Sequence, residues 1–471
     1  MVMRLRPDPA TRRGVASAGA AETAAIRAAG EAWRDACIRR LATLPLATPR
    51  GRLLQVRGTL LAARVPNVCI GELCLLSDPS GGVHELMAEV VGFSEHDVLL
   101  SPLGPMDGLS PATEVVALRR AHAVQCGDWM FGRLFDGFGR PLDGGPAGPG
   151  EPLSEPRPVV ADAPSPSARP RIVDPLPTGV RALDAFVTLG RGQRVGLFAA
   201  AGCGKTTLLA ALARGVAADA IVFALVGERG REVREFLERE LDPALAARAT
   251  VVCATSDRPA IERVRAAQTA TAIAEHVAAQ GGHALLLVDS LTRFARAQRE
   301  IGLAAGEPPA RLGFPPSVYA MLPRLIERAG NRETGAITAV YTVLTESDDA
   351  PDPLAEEIRS LLDGHIVLSR KLAEAGRFPA VDVLASLSRV ARALIDDAHA
   401  QSASALRASL AKHAELELLI ELGEYRPGEN ADADRAIALH PHIVEFLRQN
   451  TERPSPWRDT LEALHDVLSL A

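Results

Sequence analysis

One stretch constrains this chain more than any other: Ala199-Ala200-Ala201-Gly202-Cys203-Gly204-Lys205-Thr206-Thr207 follows the apolar run Val195 to Phe198 and opens onto Leu208-Leu209. An apolar run, a Gly-rich turn and a helix start in that order demand a strand, a tight loop and a helix. Successive backbone N–H groups in such a turn, together with the open helix N-terminus, form a concave donor surface suited to β- and γ-phosphates. Lys205 adds positive charge there, and the Thr206 hydroxyl is placed to hold a Mg²⁺ that neutralises a triphosphate. The chain is therefore expected to use a nucleoside triphosphate, with residues Ala200 to Thr207 as its phosphate loop. Ala199 stands where the strict pattern has Gly, so a plain Gly-rich turn is the competing reading.

Two further signals follow in the order this reading requires. The apolar run Ala220 to Val226 ends in Gly227-Glu228-Arg229-Gly230-Arg231-Glu232, and the run Ala284 to Val288 ends in Asp289-Ser290. Both have the form of buried parallel strands that deliver carboxylates at their C-terminal ends, the edge where ligands collect in an open α/β sheet. Asp289 is suited to orient a Mg²⁺-bound water, and Glu228 to polarise the water that attacks a γ-phosphate. Either carboxylate alone reads as a helix cap or a surface ion pair. Their conjunction with the loop favours catalysis.

Composition narrows the class. With 471 residues, 47% of them hydrophobic, the chain can bury at least one large core, and two or three domains are expected. No apolar run is long enough to span a bilayer and no signal-peptide pattern opens the chain, so a cytoplasmic location is expected. The net charge of -6 offers no broad basic field for a nucleic-acid backbone, and nucleic acid is not expected as a partner. The six cysteines are scattered without zinc-type spacing and are expected to be reduced. Cys203, inside the phosphate loop, is expected to make the enzyme sensitive to thiol reagents.

Along the chain, residues 15 to 45 carry Ile26, Ala29, Trp33, Cys37 and Leu41 on one face of an amphipathic helix, which either packs on the body or docks another chain. A first boundary is expected near residue 48. From 49 to 120, short β-prone runs separated by Gly, Pro, Asp and Ser predict a small β-barrel. Residues 132 to 144 are rich in turn formers, and residues 145 to 175 are Pro-dense enough to predict an extended strap without regular structure. To about residue 395, apolar β runs (195–199, 221–226, 250–253, 284–289, 337–343, 366–368) alternate with helical patterns, which predicts a largely parallel sheet covered on both faces. Residues 396 to 471 read as a separate helical layer broken at Pro427, Pro441 and Pro454. The fold class expected is α/β, with an N-terminal barrel and a C-terminal helical domain.

Taken in order, GRLFDGFGRPLDG (132–144), PLPTGVRALDAFVTLGRGQRVGLFAAAGCGKTT (175–207), ALVGERGREVREF (224–236), the 285–330 segment beginning LLLVDSLTRFARAQRE, and DGHIVLSRKLAEAGRFPAVDVLASLSRV (363–390) resemble the ATPases of type III secretion systems. These are sisters of the flagellar export ATPase and cousins of the rotary ATP synthase catalytic subunit. The resemblance covers roughly residues 50 to 450 and implies a RecA-type core. AAAGCGKT is similar to the non-flagellar branch, whereas the flagellar loop resembles AGSGVGKS. Residues 1 to 20 and the strap carry no part of the resemblance.

The resemblance implies ATP and Mg²⁺ as cofactors and assigns Lys205 and Thr206 to phosphate and metal, Glu228 to the attacking water and Asp289 to the metal shell. It adds Arg229 and Arg293 at the γ-phosphate, Phe378 stacked on adenine, and Arg389 as an arginine finger supplied to a neighbouring subunit. The residues themselves leave plainer readings open: Arg293 belongs to an Arg-rich helix with Arg296 and Arg299, Phe378 fits ordinary core, and Arg389 fits a structural ion pair. A finger given in trans implies a homohexameric ring. The resemblance also implies a stator-type regulator on the N-terminal helix, a central stalk, chaperone–effector complexes at the C-terminal layer, a peripheral place at the inner membrane, and a loop from Gly302 to Pro316 that faces a central shaft or is a rigid crossover. Besides the flagellar protein export ATPase, a non-catalytic ring subunit and an RNA-dependent translocase stand as alternatives. Glu228 argues against the ring subunit and the acidic balance against the translocase.

Overall fold

The computed structural model describes residues 30–38 except 32 and 36, and residues 50–78, 85–94, 97–145, 155–345, 352–428 and 430–470. Where described, residues 30–38 are helical, with Trp33 and Ile38 exposed. Ile26, Ala29 and Leu41 of the expected apolar face lie outside the described residues.

Six strands close into a barrel: β1 (Arg50–Arg57), β2 (Leu60–Arg64), β3 (Glu72–Ser77), β4 (Leu86–Phe93), β5 (Val98–Pro102) and β6 (Glu114–Ala121), in the order β1-β2-β5-β4-β3-β6. Leu53, Leu61, Ala63, Cys74, Leu76, Ala88, Val90, Leu100 and Val115 fill its interior. Irregular register between Leu53 and Gln55 and between Val90 and Gly92 supplies the local bends that closure requires.

Behind the barrel lies a nine-stranded sheet with the main order β17-β16-β10-β15-β13-β11-β12-β8. Its strands are β8 (Arg133–Asp136), β10 (Arg194–Ala199), β11 (Ala220–Val226), β12 (Ala249–Ala254), β13 (His283–Asp289), β14 (Gly330–Asn331), β15 (Ala336–Leu344), β16 (Gly364–Leu368) and β17 (Val381–Ser388). β11, β12 and β13 are buried at every position, as expected of parallel strands covered on both faces. One face packs under the fully buried side of helix Ala260–Ala279, and the other under helix Lys205–Gly215 and the C-terminal helices. β17 runs antiparallel to β16 at the sheet's edge.

Three sequence expectations are corrected. Residues 133–136, within the segment read as turns, form β8 and pair parallel with β12 through Leu134 and Val251. The Pro-dense strap carries β9 (Glu155–Pro158), paired antiparallel with β7 (Ala123–Cys126), and a 3₁₀ turn at Pro166–Ala168. A two-stranded ribbon has only edge strands, and an edge tolerates the missing N–H groups of Pro156 and Pro158. Pro441 does not break its helix: Ala431–Leu447 runs through it, because Leu439, Ile443, Phe446 and Leu447 are all buried against the core. That packing outweighs the roughly 3 kcal/mol an interior proline costs. This helix, Asp397–Glu421 and Trp457–Ser469 form the C-terminal layer over helix Arg181–Phe186 and β17.

Candidate nucleotide site

Parallel strands end together on one edge of the sheet, so the residues just past them converge. β10 ends at Ala199, paired with Leu344 of β15 and Leu368 of β16, and the chain turns there into the phosphate loop. Gly202 and Gly204 take left-handed φ values of 84° and 81°, which side chains other than glycine resist, and Lys205 then opens helix Lys205–Gly215. Asp289 closes β13 opposite Leu225 of β11, and Glu228 stands two residues past the end of β11. The three ends enclose a cavity of about 520 Å³ lined by Ala200, Ala201, Gly202, Gly204, Lys205, Thr206, Thr207, Glu228, Arg229, Asp289 and Arg293.

Charge is concentrated here. Lys205 Nζ lies 2.5 Å from Asp289 Oδ1 and 3.6 Å from Glu228 Oε1. The Thr342 hydroxyl donates to the same Asp289 oxygen at 2.8 Å. Arg293 reaches Glu228 Oε2 at 3.1 Å and also donates to the Gly227 carbonyl. Its helix is capped by the Ser290 hydroxyl, which accepts from the Arg293 N–H at 3.3 Å. Burial, then the neighbouring Asp289 charge and a hydrogen bond shared with Glu232, push the Glu228 carboxyl up to about 7, while Lys205 and Arg293 pull it down. The same shared bond holds Glu232 below the usual carboxylate range. Glu228 Oε1 is buried and accepts no hydrogen bond among the described residues. An oxygen in that state is available to a water molecule.

The donor set fits Mg²⁺. It is all oxygen, with one hydroxyl (Thr206) and two carboxylates. Among the described residues no cluster of three or more His, Cys, Asp or Glu forms a metal cage. Mg²⁺ is characteristically held this way, by one or two carboxylates together with substrate phosphates and water.

Sequence reasoning missed Glu232 and Thr342. Glu232 had a visible signal, since it follows Glu228 by four residues across a helix start and so comes back to the same face. Thr342 had none, because β15 joins β13 only in three dimensions. Arg229 lines the cavity with its side chain exposed and pairs loosely with Glu232 at 3.4 Å.

Phe378 lies just outside the cavity lining. Its ring is half exposed and stands 3.7 Å from where a Cβ on Gly204 would be. The Phe378 carbonyl accepts from the Gln449 N–H of the C-terminal layer at 3.0 Å. The Cys203 side chain is buried in the apolar core behind the loop and does not line the cavity, which argues against the expected sensitivity to thiol reagents. Arg389 is the predicted site residue that the structure places far from the cavity. Ser388 pairs with Gly364 at the start of β16, whereas the phosphate loop leaves from the opposite end of β10. A six-residue strand separates the two ends by roughly 20 Å. The Arg389 side chain is exposed and makes no ion pair among the described residues.

Residues 179–388 match the nucleotide-binding domain of the ATP synthase alpha/beta family, residues 53–119 its beta-barrel domain, and residues 395–466 the T3SS EscN ATPase C-terminal domain. The type 3 secretion system ATPase of Pseudomonas savastanoi pv. phaseolicola is 53% identical over 93% of this chain and 98% of its own length. The flagellum-specific ATP synthase of Bacillus subtilis is more distant, 44% identical over 88% of this chain and 94% of its own. The assembled ATPase EscN from the enteropathogenic E. coli type III secretion system superposes with a TM-score of 0.83 at 43% identity, covering 89% of this chain and all of that one. EscN in complex with its central stalk EscO superposes with a TM-score of 0.82 at 42% identity, again over 89% of this chain and all of that one. A barrel, a phosphate-loop core and a helical C-terminal layer, matched at this identity along nearly the whole length, place the chain in the family of type 3 secretion system ATPases.

Proposed function

We propose that this ATPase hydrolyses ATP at the seam between two copies of itself in a homohexameric ring, at the cytoplasmic base of a type III secretion apparatus peripheral to the inner membrane. The observation that carries the reading is the position of Arg389, exposed, unpaired among the described residues, and at the far edge of the sheet from its own phosphate loop. A guanidinium there is out of reach of its own nucleotide and free to serve the next. In phosphoryl transfer such a finger contributes roughly 10³ to 10⁵ in rate.

Within one subunit, residues 200–207 cradle the phosphates, and Lys205 exchanges Asp289 for the phosphate oxygens when nucleotide enters. Thr206 and Asp289 are the residues that would hold Mg²⁺, which when bound supplies charge neutralisation at the phosphates. Glu228 takes the proton of the attacking water, Arg229 and Arg293 bear on the γ-phosphate, and Phe378 stacks on adenine. The work of the cycle is to release chaperones from effector proteins, unfold them and promote their export.

Partners follow from surfaces. A central stalk and the loop from Gly302 to Pro316 suit each other, since Leu312 stands exposed at its tip. Chaperone–effector complexes suit the C-terminal layer, where Leu418, Leu419, Ile420 and Leu422 are exposed together. A stator-type regulator suits the N-terminal helix. Nucleic acid has no part.

The test is assembly dependence. Diluting the protein from ring to monomer should reduce ATP turnover per subunit steeply, while nucleotide binding persists; equal specific activity in both states would overturn the seam.

A further inference from the structure

The finger residue is held by a polar node at the start of β10. Gln193, fully buried, immediately precedes that strand. Its side-chain amide accepts from the Gly190 N–H at 2.9 Å and donates to the Asp363 carbonyl and to the Ser388 hydroxyl, both at 3.1 Å. The Arg389 N–H donates to that same Asp363 carbonyl at 2.9 Å. Asp363 is fixed in turn: its carboxylate receives Arg194 in a two-point clasp, at 3.0 Å from Nε and 3.0 Å from Nη2, and Arg194 also pairs with Glu327 at 2.6 Å. Space is as constrained as polarity. A Cβ on Gly364 would fall 2.6 Å from the Leu387 carbonyl and 3.1 Å from Gln193 Nε2. The backbone just before Arg389 is therefore locked to β10, the strand whose other end becomes the phosphate loop.

We propose that Gln193 is a positioning residue for Arg389, fixing through Asp363 and Ser388 the angle at which the guanidinium is presented to the neighbouring copy. The inference rests on the reading of Arg389 as a finger acting in trans. A long flexible side chain reaches a transition state reproducibly only if its Cα is fixed, and misplacement by about 1 Å can cost as much as a hundredfold in rate. Gln193 does not line the nucleotide cavity, and its side chain bonds instead to the segment that carries Arg389, so its effect on turnover is assigned to Arg389. β10 also joins the two half-sites that one subunit contributes to two different seams.

The experiment is a double-mutant cycle on assembled rings of the full chain, with kcat, KM and ring mass measured for each. Gln193→Met keeps the volume and removes the amide, and should lower kcat roughly tenfold to a hundredfold with KM little changed. In an Arg389→Ala background it should lower kcat no further. Ser388→Ala, which removes only one hydroxyl, should give a smaller loss with the same non-additivity and stands in if Gln193→Met fails to assemble. If Arg389→Ala itself leaves turnover intact, the trans-finger reading falls and the inference with it. If Arg389→Ala lowers turnover to a small but measurable rate while the node variants match wild type, or impair both backgrounds by the same factor, the inference alone falls.

Discussion

At the scale of single residues, the site is a balance of charges around Glu228. Its carboxyl sits near 7 because it is buried beside Asp289 and shares a hydrogen bond with Glu232. As a base it works only when ionised, so kcat/KM should rise with pH through an apparent value near 7 and fall as pH drops below it. Glu228→Gln should abolish that limb and lower turnover by roughly 10² to 10⁴ while leaving nucleotide affinity within a few-fold. Glu232→Gln should move the limb to lower pH, because an amide donates to the ionised Glu228 where the Glu232 carboxylate can only accept; a limb that stays in place would remove Glu232 from the proton's path. Lys205, Thr206, Glu228 and Asp289 were legible from the sequence because each follows directly on an apolar strand run. Phe378 and Arg389 were not: one sits beside Gly204 and bonds through its carbonyl to Gln449, the other is proposed to serve a second copy, and no spacing within one chain encodes either.

At the scale of elements, legibility followed periodicity and failed where periodicity is absent. β10, β11 and β13 announce themselves as apolar runs. β8 hides among turn formers, and its pairing with β12 draws on residues more than a hundred positions away. The strap was read as unstructured because proline suppresses strand signals, yet it is fastened firmly. Arg169 donates to the carbonyls of Ala329, at 3.1 Å, and Glu327, and the Arg171 carbonyl accepts from Asn331 at 3.1 Å. Arg169→Ala should therefore cost about 2 kcal/mol of stability, read from denaturant unfolding, with turnover of the surviving fold nearly unchanged. A loss below about 0.5 kcal/mol would show the fastening to be incidental.

At the scale of the whole molecule, the sheet has two working edges. One carries the loop, the carboxylates and the metal oxygens; the other carries Arg389, with Leu384 and Leu387 exposed beside it. Exposed leucines flanking a guanidinium that makes no ion pair among the described residues suit the proposed seam, and on that proposal assembly and catalysis should rise together. A different contact is proposed for the N-terminal helix. Removing residues 1–45 should weaken capture of the stator-type regulator while leaving ATP affinity unaltered, and unchanged capture would withdraw that assignment. The ring is tested most directly by the structure of the assembled protein trapped with a transition-state analogue of ATP hydrolysis. A site split between copies predicts the Arg389 guanidinium of one copy within hydrogen-bonding distance, about 2.7 to 3.2 Å, of the γ-phosphate mimic held by its neighbour's Lys205. An Arg389 lying more than about 10 Å from every bound nucleotide, beyond the range over which an exposed charge acts in salt, would contradict it.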